Sequence, residues 1–481
     1  MRQSTRLFAI YGSLAAALYV LIGPLGLFSL PFLPDGMGSI GHGNTANFGL
    51  RSTDVNTGVV QQLGMTKFLA HQPGFSVIEN LYWYNKTYMF LTDQPWAIPP
   101  AEHIAALSTD SRKPANGRVA TQIWAIRNTP LSPEVQEERQ VGHSISLQDA
   151  EEMFGNAIKL DSPMMINNDD NFVSHFYHWI GETFLGSWRV WSNLAWRTGE
   201  VLPNFKTVAF VQQFNKSEAP PGSNGGQWWE DTPGANKWYT EKIFPGVKIE
   251  SQSTWQERAD SLQVYHIPLA VLADRRGGHS GPSSAWKPWG DVLRLPVSSD
   301  WLTTIRDRIL NNYSGPVPLK KGPLPKVLYL SRQDSTRRLV HEDHDKLVLA
   351  LEKLHKDGVA EVSIEMFGSH MPFEDQVAKI STVDVLLSVH GNGLTHILWM
   401  DPGRKAAVFE FQPVYCTITD YSPLAIAAGV QHYMVHDNSF CLPEECGPRT
   451  CGKDHPEGIN TDTIRVTAHV ITDEIRRILS K

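Results

Sequence analysis

The chain has 481 residues, 41% apolar and 19% charged. That is the balance of a folded protein, in a length that exceeds one ordinary core, so two domains are expected. A formal net charge of −7 and an isoelectric point near 6.2 leave no basic footprint and exclude nucleic acid as the expected partner. The 15 tryptophans are many; flat aromatic faces serve carbohydrate sites, although core filling is their commoner use.

Residues 1–6 read as a short cytosolic tail. From Leu7 to Leu33 there are 27 residues without a charge, enough to span a bilayer of about 30 Å. Arg2 and Arg6 precede this run and Asp35 follows it, which orients it with the tail inside. A cleaved leader has a shorter apolar region, so residues 7–33 are expected as a single-pass type II anchor in the Golgi or endoplasmic reticulum membrane, with the body lumenal. Sequons at Asn85, Asn215 and Asn312 agree with that topology. Cys416, Cys441, Cys446 and Cys451 lack a CxxC zinc spacing, which favours two disulfides of unreadable pairing.

Residues 34–65, rich in Gly, Ser, Asn and Thr, read as a stem. Residues 66–312 form the first expected domain. Within it, Asn80–Thr92 alternates as a hairpin turning at Asn85-Lys86, and Lys206–Phe214 and Leu262–Leu272 look like buried strands. The Pro-, Gly- and Lys-rich run 313–325 is a linker. Residues 326–440 then alternate strand and helix. "VLYLSR", "EVSIEMF", "VDVLLSV", "AAVFEFQP" and "QHYMV" are strands, and Leu347, Leu351 and Leu354 stripe the first helix, which ends at Gly358. That spacing predicts a parallel, Rossmann-like sheet. Residues 441–481 hold a Cys-rich loop and an amphipathic helix, with Ile471, Ile475 and Ile478 on a face expected to pack back across the domain boundary.

Three constellations carry chemistry. "VHGNGLTH" is a strand-to-helix turn. Gly391 and Gly393 remove Cβ atoms where a phosphate would approach, Leu394 opens a helix, and His390, Asn392, Thr395 and His396 crowd the turn with donors. "LSRQDSTRRLVHEDH" places Ser331 and Arg332 at a strand end with Arg337 and Arg338 close behind, guanidinium groups suited to a diphosphate. The following "DHD" imitates a metal motif, but acidic residues at a helix start serve as caps, so no metal site is expected there. Glu410, near the end of "AAVFEF", is positioned to hold ribose hydroxyls. In "HFYHWIGETF", helical spacing puts His175, His178 and Glu182 on one face. That face suits a general base, a zinc ligand set, or simple packing of the neighbouring aromatics.

Together with the "YWYNKTYMF" hairpin and "DPGRKAAVFEFQP", these motifs resemble glycosyltransferase family 61, from about Asn80 to Pro413. The chain departs from the family pattern at His341-Glu342, in "GNGL", and at His175. The resemblance implies a GT-B fold of two facing Rossmann-like domains. It implies inverting transfer of xylose or N-acetylglucosamine from a UDP-sugar to a hydroxyl of a glycan or glycoprotein, with no cofactor or metal. Glu182, His178 or His175 would handle the acceptor proton, and the Arg cluster and Gly turn would hold the donor. Two alternatives belong to other classes: a lumenal carbohydrate-binding protein without catalysis, and a zinc hydrolase built on His175, His178 and Glu182. The topology has a direct test: endoglycosidase should increase the gel mobility of the intact protein, and an unshifted band would refute lumenal glycosylation.

Overall fold

Apolar alternation and β-branched runs settle into two sheets. The structure, a computed structural model, describes residues 63–105, 122–127, 143–144, 147–170, 172–223, 226–283, 287–311, 322–368, 370–402, 405–446, 451 and 458–480. All lie in one compact unit, Gln61–Lys481. The expected anchor, the stem up to residue 62 and the sequon at Asn312 fall outside the described residues. Among the described residues no helix is long and apolar enough to cross a membrane. Leu63 and Met65, expected in the stem, pack instead on a cluster that includes Tyr82, Met89 and Phe154, and Tyr82 donates to the Gly64 carbonyl at 2.9 Å.

The first sheet contains β1 (Lys67–Gln72), β2 (Phe75–Tyr84), β3 (Thr87–Thr92), β4 (Gln122–Arg127), β5 (His143–Ser144), β6 (Ile158–Lys159), β7 (Met164–Asn167), β8 (Thr207–Phe210), β9 (Lys248–Glu250) and β10 (Tyr265–Ala273). Its order is β5-β4-β3-β2-β10-β7-β8-β9, with β1 on β2 and β6 on β10. The predicted hairpin is β2–β3, and Asn85 and Lys86 at its turn both have positive φ, 41° and 59°, the backbone that matches strand twist. Strands β10, β7, β8 and β9 are parallel, as is the short β6 on β10; β2 to β5 run as an antiparallel meander. The connections decide this. Helices Leu185–Thr198, Ala235–Ile243 and Gln252–Asp260 supply the crossovers that parallel strands need, whereas β2 and β3 are joined by two residues. The first sheet is therefore Rossmann-like over half its width.

The second sheet contains β11 (Lys326–Leu330), β12 (Glu361–Glu365), β13 (Val385–Val389), β14 (Ala407–Phe411), β15 (Gln431–His436) and an antiparallel edge, β16 (Ser439–Cys441). Its order, β12-β11-β13-β14-β15-β16, reverses direction between β11 and β13. Helices leave the sheet on opposite faces at such a reversal and open a crevice beyond the carboxyl ends of the two strands. Leu347, Leu351 and Leu354 of helix His341–Lys356 are fully buried, and Gly358 ends the turn with φ 69°. The last helix, Ala468–Ser480, does not cross to the first sheet. Ile471 and Ile475 join the cluster under helix His341–Lys356, because Ile464 and Val466 bridge to Leu339 and Asp437 and hold the chain over its own sheet. Cys416 pairs with Cys451 and Cys441 with Cys446, the two disulfides expected, now with their connectivity.

The sheets share one core. A single cluster runs from Phe184, Trp188 and Phe244 under the first sheet to Leu330, Leu386 and Trp399 under the second. Tyr239 stacks on Trp399 with centroids 5.2 Å apart and planes 6° from parallel, and Trp238 donates to Glu374 at 3.1 Å. The sequons differ in access. Asn85 is exposed, while the Asn215 amide donates to Glu218 at 2.7 Å and accepts from Trp229 at 2.8 Å. Because Trp399 is fully buried between the sheets, Trp399→Ala should destabilise the protein by about 3–5 kcal/mol. Leu349→Ala, at an exposed helix position, should cost under about 0.5 kcal/mol; denaturant midpoints with an unchanged slope would check both.

Candidate active site

The crevice at the β11–β13 reversal is walled on one side by Arg332. At Gly391, whose φ is 153°, an added Cβ would lie 2.0 Å from Arg332 Nη1; at Gly393 it would lie 2.8 Å from Leu330 Cδ2. These glycines therefore make room for the Arg332 guanidinium and for core packing, which corrects the expectation that they clear space for a phosphate directly. Arg337 donates through Nη1 to the His390 carbonyl at 3.0 Å and through Nη2 to Asn460 Oδ1 at 2.6 Å. Nε of Arg332 and Nε of Arg337 are both buried without a hydrogen-bond acceptor. Burial, and then the charge of Arg337, pull the Arg332 guanidinium below its ordinary pKa, as expected for two cations crowded together. A cavity of about 510 Å³ opens beside them, lined by Ser331, Arg332, Asn392 and His396 and, from the first-sheet side, by Phe176 and Tyr239.

Four expected donor-side residues are engaged elsewhere. Arg338 turns outward to Asp462, 2.8 Å away, and to the Ser335 carbonyl. Leu394 is fully buried, and its N–H donates to the Gly391 carbonyl at 2.9 Å because the segment Asn392–Trp399 is a tight 3₁₀-helix rather than an α-helix. Asn392 Oδ1 accepts from the Tyr177 N–H at 3.0 Å and so ties the turn to the opposite wall. Glu410 points inward on a central strand with no exposure. It bonds His390 Nδ1 and, at 2.8 Å, His432 Nε2, so it is closed to a ribose. Thr395 Oγ1 is buried without a partner.

The other wall is the segment Tyr177–Phe184, a π-helix continued by Leu185–Thr198. Its wider turn still brings His178 Nδ1 to 2.7 Å from Glu182 Oε2, while His175 sits in the turn ahead with its ring 5.2 Å from that of His178. Glu182 is fully buried. Arg275 Nε lies 2.8 Å from its Oε2 and Lys287 Nζ 3.8 Å from its Oε1. Burial pushes the Glu182 carboxyl up, but the His178 hydrogen bond and the Arg275 and Lys287 charges outweigh it, so its pKa falls below the ordinary value. Burial by the crevice walls, then His178, Arg337 and Arg332, hold His175 down to about 4 against the pull of Glu182. Among the described residues no three His, Cys, Asp or Glu side chains are arranged as a metal site; Glu182 is turned to Arg275 instead. Lys287 also pairs with Asp420 at 2.7 Å. Arg275, Lys287 and Asp420 carried no motif and were missed; the end of the strand at Asp274-Arg275 was the one available signal.

The sequence model of the family described as Glycosyltransferase 61 matches residues 176–407, just under half of the chain. Over residues 176–407 the chain is similar to glycosyltransferase family 61. The family stretch takes in His178, Glu182, Arg275, Arg332, Arg337 and the whole glycine turn, but stops short of Glu410. The chain is also similar to the EGF domain-specific O-linked N-acetylglucosamine transferase of Drosophila melanogaster, 29% identical over 159 residues, which is 32% of this chain and 28% of that protein. The match thus spans little more than a quarter of the relative's length.

Glu410 has an acid signature. Burial raises its pKa, but the flanking His390 and His432 carry it down to about 2 from 4.5. A depressed carboxyl stabilises the fold fully above its unfolded pKa, and the contribution fades as pH falls toward 2. The stability gap between wild type and Glu410→Gln should therefore be full above pH 4.5 and shrink between pH 4.5 and 2. Urea unfolding across that window would check it.

Proposed function

We propose that the protein is an inverting glycosyltransferase of GT-B type that moves a sugar, xylose or N-acetylglucosamine, from a UDP-sugar to an acceptor hydroxyl, with no resident metal. The observation that carries this reading is the pairing of two crevice walls: guanidinium groups without carboxylate partners on one, and a His–Glu pair on the other. The similarity to the family over residues 176–407 and the transferase to which the chain is similar support the reaction class.

Glu182 was one of three residues expected to handle the acceptor proton. Full burial against Arg275 keeps Glu182 from an acceptor, and we assign it to positioning. Its carboxylate holds the proton on His178 Nδ1, which leaves the Nε2 lone pair for the substrate; the His178 side chain is 23% exposed. In the step, the acceptor oxygen bonds to the anomeric carbon and its proton passes to His178 Nε2. The bond from that carbon to the donor phosphate breaks, and the electron pair leaves on the nucleoside diphosphate, where Arg332 and Arg337 meet the charge. The aromatic cavity beside Arg332 suits the nucleoside, and the two disulfides suit a lumenal location in the Golgi or endoplasmic reticulum.

Arg332→Ala should weaken UDP binding by roughly 1.5–3 kcal/mol in calorimetry, while Arg338→Ala should leave it unchanged. His178→Asn should lower turnover about 10²–10⁴-fold at constant UDP affinity. Equal UDP affinity across the arginine variants, or wild-type turnover in His178→Asn, would refute the respective assignment.

A further inference from the structure

One residue beside His178 is out of place by every folding criterion. Phe172 has φ 67°, a left-handed backbone that a bulky side chain rarely adopts, and it leaves 54% of its surface exposed. Neither feature helps the fold: a Gly or Asn suits that backbone better, and a buried Phe is worth more than an exposed one. The ring is nevertheless held in place. The Arg275 guanidinium lies 5.2 Å from its centroid, and the His178 ring lies 5.5 Å away. The same Arg275 pairs with Glu182, so the platform and the candidate base share one anchor.

We infer that Phe172 is the stacking floor of an acceptor subsite, and that the acceptor group it takes is a pyranose ring. The inference rests on the transfer reading above and deepens it. The chemistry around the ring selects the class. A pyranose has one face of C–H groups, which suits the negative face of an aromatic ring, and a rim of hydroxyls. Phe172 offers the exposed part of a ring over which the Arg275 guanidinium lies, the His178 ring is beside it, and Asp170, two residues before it in the chain, pairs with Arg276 at 2.8 Å. An extended peptide that docked by strand addition would call for a free strand edge. The strands that end here have none, since β7 is paired with β10 and β8, and β10 with β2 and β7. A hydroxyl of a sugar stacked on Phe172 would lie next to the His178 ring, where the proton must go.

The test uses the full chain with UDP present and methyl xyloside, methyl N-acetylglucosaminide and methyl galactoside as probes, read by saturation-transfer NMR. At least one pyranoside should bind through its ring C–H protons. Phe172→Ala and Phe172→Leu should each weaken it about tenfold, and Phe172→Tyr should retain it, because flatness rather than apolarity matters. Phe172→Gly relieves the left-handed backbone, so it should lose pyranoside binding while its thermal midpoint stays at or above that of wild type. No pyranoside binding by the wild type, equal binding by Phe172→Ala, or a clear drop in the midpoint of Phe172→Gly would overturn the inference. UDP affinity, measured alongside, should be unchanged in every variant. Failure of the wild type to bind UDP would instead overturn the donor reading, and the pyranoside result would still decide this one.

Discussion

A carboxylate with no exposure must be surrounded by charge and hydrogen bonds, and Glu182 sets that demand at the centre of this protein. Three elements answer it. The π-helix brings His178, the end of β10 brings Arg275, and the segment after helix Arg275–His279 brings Lys287. Lys287 then reaches Asp420 on the second-sheet side, and Tyr177 donates to the Asp420 carbonyl at 2.8 Å. The crevice walls are thus referenced to one buried charge, and loss of that charge would take from Arg275 its carboxylate partner.

The shared apolar core does the complementary work. Stacking of Tyr239 on Trp399 and the cluster that runs beneath both sheets keep the walls in register without help from the chain that links them. Polar contacts alone would be softened by water in an open crevice. Backed by a packed interior, they hold positions to the tenths of an ångström that proton transfer requires.

The two walls are unequal in what they satisfy. On the His178 side the charges meet one another as ion pairs, Glu182 with Arg275 and Lys287, and Lys287 with Asp420. On the Arg332 side the Nε atoms of two guanidinium groups are buried without acceptors, next to a cavity of about 510 Å³. Placing positive charge there is costly without an anion, which supports the proposed donor side. Glu410, His390 and His432 lie behind the turn as a closed set and stiffen it.

Much of this was legible in the sequence. The Asn85-Lys86 hairpin, the alternating strands from residue 326, the Leu347–Leu351–Leu354 stripe and the His178–Glu182 spacing are local patterns, set by period and turn chemistry over a few residues. The motifs that resemble family 61 were readable for the same reason. Tertiary structure alone decided the rest. Whether Glu410 faces a ligand or the core depends on its neighbours on β13 and β15, and what Gly391 makes room for depends on a guanidinium 59 positions earlier, at Arg332. Arg275, Lys287 and Asp420 carry no motif because their partners are distant in the chain. The antiparallel half of the first sheet and the return of the last helix to its own sheet follow from long-range pairing, which no periodicity encodes. The sequence determined which side chains were available for chemistry; only the packing of two sheets on one core decided which of them face the crevice and which hold its walls.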